Sequence, residues 1–365
     1  MTSIAALDAR LLRVPLGAAR GGSGATQLDV VLVTLTDSDG CAGTGFTYAL
    51  TGGAEAVLTM VEATFREPVV GSSTADWDRT WERLRAATHR IGRGVSLPAL
   101  SALDIAVWDL RAHAAELPLH RLLGSRRDAI PVYGSGRATN AMSVEELVAG
   151  TQSYLDEGYR AVKLRVGTRP VEEEVARMAA VREAVGPQAR LMVDCNERLD
   201  YASAVRLGAE LAQLGFHWLE EPLPAGDLAG HARLAAQLDV AIAAGEHLQG
   251  RHDFAAYLRS GAASVLQPDA PLAGGITETM RIATVAEALG ATISPHFLPE
   301  LHVHVCLAAA SATYVEHFPL LDDLLAETLV AEDGLMRAPE RPGHGIAWDP
   351  DALERFEVAR STERR

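Results

Sequence analysis

The hydrophobic period of the chain changes along its length. Residues 2–50 fall into β-rich runs, ALDARLLRVPL, LDVVLVTLTDSDG and CAGTGFTYAL, and Asp39-Gly40 between the second and third marks a hairpin turn. Between the first two, RGGSGATQ (Arg20–Gln27) is glycine-rich and reads either as a plain surface loop or as a lid over a site. From 53 to 120 the pattern turns helical. GAEAVLTMVEATF carries a 3.6-residue apolar period. SLPALSALDIAVWDLRAHAAELPL predicts a long helix after Ser96, with Pro98 near its first turn. From Ile130 onward, short apolar runs that close on polar residues recur about every 20–30 residues: AVKLRVG, LMVDCN, HWLEEP, AIAAGEH, SVLQPD, ATISPH and ATYVEH.

Helical stretches lie between these runs. The first pairs Ser143 with Glu146 as a capping box, shows an apolar side of Val144, Leu147, Val148 and Leu155, and stops at Gly158. Later helices are expected at Val171–Val185, Tyr201–Leu214, Leu228–Leu238, Asp253–Ser260 and Ile276–Leu289. Apolar runs buried on both faces, alternating with amphipathic helices, predict a parallel βα barrel. Barrel chemistry sits where the strands end. After Glu316 the pattern breaks into a tail with Pro339, Pro342, Gly343 and Gly345, expected to pack back on the first domain. The expected organisation is an α+β capping domain over 1–125, a barrel over 126–320 and a closing segment over 321–365.

Composition narrows the partners. A chain of 365 residues with 48% hydrophobic content is long enough for a barrel and a smaller domain. Cys41, Cys195 and Cys306 are odd in number and far apart, which argues against a disulfide framework and suits a reducing compartment. The N-terminus has no basic segment followed by a long apolar run, so no signal peptide is expected, and a cytoplasmic location is. No stretch of about 18 apolar residues predicts a membrane span. The formal charge of −15 speaks against nucleic acid but leaves room for a small carboxylate substrate, because local charge can oppose the global sign.

The strand ends carry the candidate chemistry. Asp194, Glu220 and Glu246 end successive runs, 26 residues apart each time. Adjacent parallel strands lie about 4.8 Å apart, so these carboxylates converge and repel unless a cation sits among them. All-oxygen ligation with an incomplete protein shell suits Mg²⁺, one per chain. Helix caps favour Asp over Glu, which makes three capping acids in a row a poor alternative. Of the pair Glu220-Glu221, alternation sends one into the mouth, and the register with Asp194 favours Glu220. Asp269 and His296 follow as a general-base dyad, since a carboxylate on one imidazole nitrogen raises the basicity of the other. Lys163 and Arg165, two apart, share a face opposite. Lys163 suits a substrate carboxylate. Arg165, whose pKa exceeds about 12, is a poor base and reads as a clamp. Glu316 is expected to share a proton with the far oxygen of the substrate carboxylate. Asn196 and His247 read either as substrate contacts or as support for the ligands beside them. The His302-x-His304 pair resembles a metal motif, but in a helix residues two apart face different ways.

With Lys163-x-Arg165, Asp194, Glu220, Glu246, Asp269, His296 and Glu316 in order, the chain resembles the enolase superfamily, specifically its mandelate racemase subgroup. The resemblance covers nearly the whole chain and implies an α/β fold, a (β/α)7β TIM-like barrel with an N-terminal α+β capping domain completed by the C-terminal segment. It implies one Mg²⁺ held by Asp194, Glu220 and Glu246, and removal of the proton α to a carboxylate by the Asp269–His296 dyad. Lys163 and Glu316 would steady the substrate carboxylate. Homo-oligomers, from dimer to octamer, are expected. Arg165 departs from the subgroup's racemases, which place a second lysine there. One base suffices for dehydration, so the expected reaction is loss of water from an acid sugar to give a 2-keto-3-deoxy acid. The segments FTYALTGG, with Tyr48, and RGGSGATQ, with Arg20, resemble those of dehydratases acting on hexarates such as galactarate or talarate, and both residues are expected substrate contacts. A racemase or epimerase of a 2-hydroxy or amino acid is the alternative. A muconate-type cycloisomerase fits less well, because a lysine would stand at Asp269. A non-catalytic barrel would leave converging carboxylates without a purpose.

Overall fold

The alternating N-terminal runs pair into an antiparallel sheet. β1 (Ile4–Arg20), β2 (Ala25–Asp37) and β3 (Ala42–Ala49) lie side by side, with Asp29 opposite Ala49 and Thr36 opposite Ala42. This computed structural model describes residues 2–20, 24–50 and 52–361, with 17–20 in backbone only. Val31, Val33 and Leu35 pack into one apolar cluster with the cap helices, whereas Val30 and Leu32 join the cluster shared with the barrel. Burial on both faces explains the unbroken VVLVTL run in β2. β3 turns two glycines toward the helix Arg93–Ala114. A Cβ on Gly43 would meet Leu110 N at 2.3 Å, and one on Gly45 would meet Ala102 O at 2.2 Å.

That helix starts at Arg93, not after Ser96, and Pro98 lies inside it beyond the first turn. Gly92 precedes it, and the Ser96 hydroxyl donates to Gly92 O at 2.6 Å in the first turn. The segment 54–65 is also less uniform than its apolar period predicts. An α-helix over Ala54–Met60 passes into a π-helical turn over Val61–Phe65.

The second sheet is parallel and curls on itself. Its strands are β4 (Ile130–Gly134), β5 (Ala161–Arg165), β6 (Arg190–Asp194), β7 (Trp218–Glu220), β8 (Ala241–Ala244), β9 (Val265–Leu266), β10 (Thr292–Ile293) and β11 (Val315–His317). They run in chain order from β4 to β10, with β11 beside β4 and a bridge from Ile293 to Ala312 closing the round. The expected helices recur between the strands within two residues of their predicted ends, among them Val171–Val185 and Tyr201–Gln213. The capping box at Ser143 and Glu146 forms in both directions. Tyr133, Ala161, Met192, Trp218, Ala243 and Val265 fill the barrel interior. β12 (Leu335–Met336) then pairs antiparallel with β4, and β13 (Glu357–Arg360) pairs antiparallel with β1 in the cap sheet.

Candidate active site

Strand alternation carries the interior face upward to the mouth. From Ala161 the same face holds Lys163 and Arg165; from Met192 it holds Asp194; from Trp218 it holds Glu220. In register, Arg165 lies opposite Asp194 and Asp194 opposite Glu220. Glu246 arrives differently. It lies two residues past β8, and alternation from Ala243 would place Gly245 inward instead. Gly245 adopts φ 152°, a conformation other residues rarely take, and this turn brings Glu246 beside the other two acids. Oxygens of Asp194, Glu220 and Glu246 lie within 4.8 Å of one another.

Two buried cations face these acids. Lys163 Nζ lies 2.6 Å from Glu220 Oε1, 2.9 Å from Glu316 Oε1 and 3.6 Å from Asp194 Oδ2. Arg165 Nη1 pairs with Asp194 Oδ2 and donates to Asn196 Oδ1 at 3.0 Å. Burial pushes Asp194 up, but Arg165 and Lys163 outweigh it and hold the carboxyl near about 2. Burial and Asp194 together push Glu220 well above the usual range against the pull of Lys163. The repulsion expected of converging carboxylates is therefore present, and two cations only partly relieve it.

Asp269 and His296 come together, each three residues past its strand end. His296 Nδ1 lies 2.9 Å from Asp269 Oδ2, and His296 Nε2 lies 3.2 Å from Glu246 Oε2. Asp269 stands at a helix N-cap position, yet its side chain caps nothing; it serves the imidazole. Burial pushes His296 down, while Glu246 and Asp269 outweigh it and raise it. Glu316 accepts from Phe297 N at 2.9 Å. Burial pushes it up, but Lys163 prevails and holds it near about 2. In this arrangement Glu316 is the counter-ion of Lys163.

The expected substrate contacts divide. Tyr48, from the cap strand β3, donates to Asp269 Oδ2 at 2.6 Å and so touches the dyad itself. Asn196 supports Asp194, donating its N–H to Oδ1 at 2.8 Å while accepting from Arg165. His247 sits at the rim, 53% exposed, with Nδ1 3.0 Å from Glu221 and 3.3 Å from Glu197. Those two carboxylates raise it to about 11. Glu221, one residue past β7 and at φ 40°, meets His247 and Glu197 rather than the Asp194–Glu220–Glu246 group. The Arg20 side chain and residues 21–23 of the expected lid lie outside the described residues, whereas Ala25–Gln27 belong to β2. His302 and His304 are structural. His302 Nε2 accepts from Ala270 N at 3.0 Å and Nδ1 bonds Phe297 O at 2.8 Å; His304 Nε2 bonds His344 O at 2.8 Å.

Three mouth residues escaped the sequence reading. Trp218 Nε1 donates to Glu220 Oε2 at 3.0 Å. The Tyr133 ring lies 5.5 Å from Lys163 Nζ. Gln267 is buried on the strand between Glu246 and His296, with no partner for either side-chain polar atom among the described residues. Each lies two residues from, or in register with, a residue singled out for its charge, so counting back along strand faces would have found them.

The donor set fits Mg²⁺. All three ligand candidates are carboxylates, and among the described residues Glu246 Oε2 is a buried oxygen with no hydrogen bond, only the approach of His296 Nε2 at 3.2 Å. A family model described as Mandelate racemase / muconate lactonizing enzyme, N-terminal domain, matches residues 1–124, and one described as Enolase C-terminal domain-like matches 146–352. The chain is 35% identical to 3,6-anhydro-alpha-L-galactonate cycloisomerase of Streptomyces coelicolor, over 91% of this chain and 92% of that one. It is 34% identical to L-talarate/galactarate dehydratase of Salmonella typhimurium, over 90% and 82%. The crystal structure of L-talarate dehydratase from Polaromonas sp. JS666, complexed with Mg and L-glucarate, superposes with a TM-score of 0.93 at 32% identity, over 99% of both chains.

Proposed function

The chain belongs to the mandelate racemase / muconate lactonizing enzyme family of the enolase superfamily, and from that premise we propose that it is a Mg²⁺-dependent acid-sugar dehydratase. Asp194, Glu220 and Glu246 would hold the ion, which supplies positive charge to the substrate carboxylate as its α-carbon gives up a proton. His296 Nε2 takes that proton, and Asp269 holds Nδ1 so that Nε2 stays free to accept it. The released electron pair forms the Cα–Cβ double bond, the β C–O bond breaks, and the hydroxyl leaves as water with the proton now on His296. The enol then tautomerises to a 2-keto-3-deoxy acid. Lys163 and Arg165 keep positive charge beside the carboxylate end. The observation that carries this reading is Arg165, bound to Asp194 and Asn196 across from the dyad. A guanidinium so placed does not exchange protons near neutral pH. Lys163 is held charged between Glu220 and Glu316, which leaves one base, and one base suits elimination and disfavours two-faced racemisation.

A galactarate- or talarate-type diacid is the proposed substrate, supported by the talarate dehydratase relatives. A second reading rests on a cavity of about 260 Å³ beside Glu246 and His247, walled by Ala49, Val57, Val95 and Leu272. Such apolar walls suit a compact anhydro-sugar ring, and a cycloisomerase is among the relatives. The same proton would then be removed, with a ring ether oxygen as leaving group and no water lost.

The deciding experiment incubates the protein with Mg²⁺ and galactarate, L-talarate or 3,6-anhydro-galactonate in D₂O, followed by NMR. A keto acid one water lighter than a hexarate is expected. An isomeric keto acid from the anhydro acid would select the second reading. α-Deuterium without keto acid would move the assignment to an epimerase, and silence on every acid sugar would sink the proposal.

A further inference from the structure

Gln267 lies two residues past Val265, which belongs to the barrel interior, so its side chain rises on the same inward face toward the mouth. It is 1% exposed, and neither Oε1 nor Nε2 has a partner among the described residues. The ladder continues past the strand ends, Gln267 N donating to Ala244 O at 3.0 Å and Ser294 N to Leu266 O at 2.8 Å. Its lateral neighbours are therefore Gly245 and Ser294. Gly245 has no side chain, and a Cβ there would lie 2.7 Å from Gln267 N, so none can be added. The Ser294 hydroxyl donates instead to Tyr314 O at 3.3 Å. Meanwhile Glu246 and His296, from the strands on either side, approach to 3.2 Å. Gln267 thus stands on the strand between a proposed metal ligand and the proposed base.

A buried carboxamide without partners destabilises a fold relative to an apolar group of the same shape. Such a residue in a catalytic mouth calls for a ligand that completes it. A carboxamide offers one acceptor beside one donor and adds no charge to a mouth already rich in carboxylates. An α-hydroxy acid presents the complement, a hydroxyl donor next to a carboxylate oxygen. Resting on the acid-sugar reading above, we infer that Gln267 binds the substrate, accepting from its α-hydroxyl and donating to the adjoining oxygen. It would thereby select 2-hydroxy acids over their deoxy counterparts.

Gln267→Met keeps length and volume while removing both polar groups. In the full-length protein with Mg²⁺, the thermal midpoint is expected to rise by about 2 °C or more. KM for the acid sugar is expected to rise about tenfold or more, with kcat changing less. Mg²⁺ affinity by calorimetry should not change. A midpoint that stays or falls, a KM within about twofold of the parent, or a loss of Mg²⁺ affinity would overturn the inference. The thermal comparison needs no substrate. If the parent turned over no acid sugar, the proposed function would fail and take the substrate role of Gln267 with it, whereas a fall in KM discrimination with an active parent concerns Gln267 alone; the midpoint separately reports whether the buried carboxamide is a burden on the fold.

Discussion

Lys163 and Arg165 occupy successive inward positions of one strand, and their head groups separate their roles. Arginine stays protonated in proteins, whereas a lysine in a desolvated site can give up its proton. Arg165→Lys should therefore create a second base facing the dyad. Dehydration is expected to fall several-fold, because the bond to Asn196 is lost, while α-deuterium appears in recovered substrate or its epimer. NMR in D₂O measures both, and exchange no faster than in the parent would refute the one-base account. Another residue-scale prediction concerns Glu300, buried in the first turn of the helix Pro299–Ala308, whose Oε2 has no hydrogen-bond partner among the described residues. Burial pushes its carboxyl up to about 8. A raised folded pKa favours the protonated form, so its contribution to stability is full below about 4.5 and is lost as pH rises through about 8. Glu300→Gln should raise the thermal midpoint at pH 9 and change it little at pH 5. Equal effects at both pH values would contradict the burial argument.

At the scale of elements, strand ends and close packing matter more than helix propensity. β3 approaches the helix Arg93–Ala114 at glycine distance, and an added Cβ on Gly45 would strike backbone atoms, which cannot step aside as a side-chain tip can. Gly45→Ala is expected to destabilise the protein by about 1–3 kcal/mol, the usual cost of overpacking. Denaturant melts would read it, and an unchanged midpoint would show that strand and helix can part freely. The same scale explains how the acids converge. Asp194 and Glu220 follow plain alternation, and their strand ends were legible as short apolar runs closing on an acid. Glu246 depends on the conformation of Gly245, which no periodicity encodes. The internal position of Pro98 was missed for a similar reason, since the helix continues through it on packing contacts that a local pattern does not contain.

Across the whole molecule, the cap is fastened to the barrel through polar groups that neither part would bury alone. Asp104 accepts from Trp77 Nε1 at 2.7 Å within the cap, and from Thr277 N and Oγ1 at 2.8 and 2.6 Å on the barrel. Trp81 donates to Gly274 O, and Thr47 to Pro271 O. Tyr48 completes the set on the dyad itself. Asp104→Ala leaves buried donors unpaired and is expected to cost about 2–4 kcal/mol. Activity should fall further than stability at the working temperature accounts for, because the strand that carries Tyr48 loses its anchorage. A variant with lowered stability but parental kcat/KM would show that cap docking and the dyad are independent.

Much of this arrangement is local in the chain. The βα period, the inward pairing of Lys163 with Arg165, and the order of the acids and the dyad all follow from alternation and from where apolar runs stop. Those features depend on neighbours within a few residues, and so a sequence contains them. The tertiary structure alone decided that Tyr48 bonds Asp269, that Glu316 serves Lys163, that His247 joins Glu197 and Glu221, and that Gln267 is buried with no side-chain partner among the described residues. Each of these joins strands or domains distant in the chain. Which polar atom meets which is then settled by strand register, by the turn at Gly245 and by the docking of the cap, not by the residues nearby in sequence.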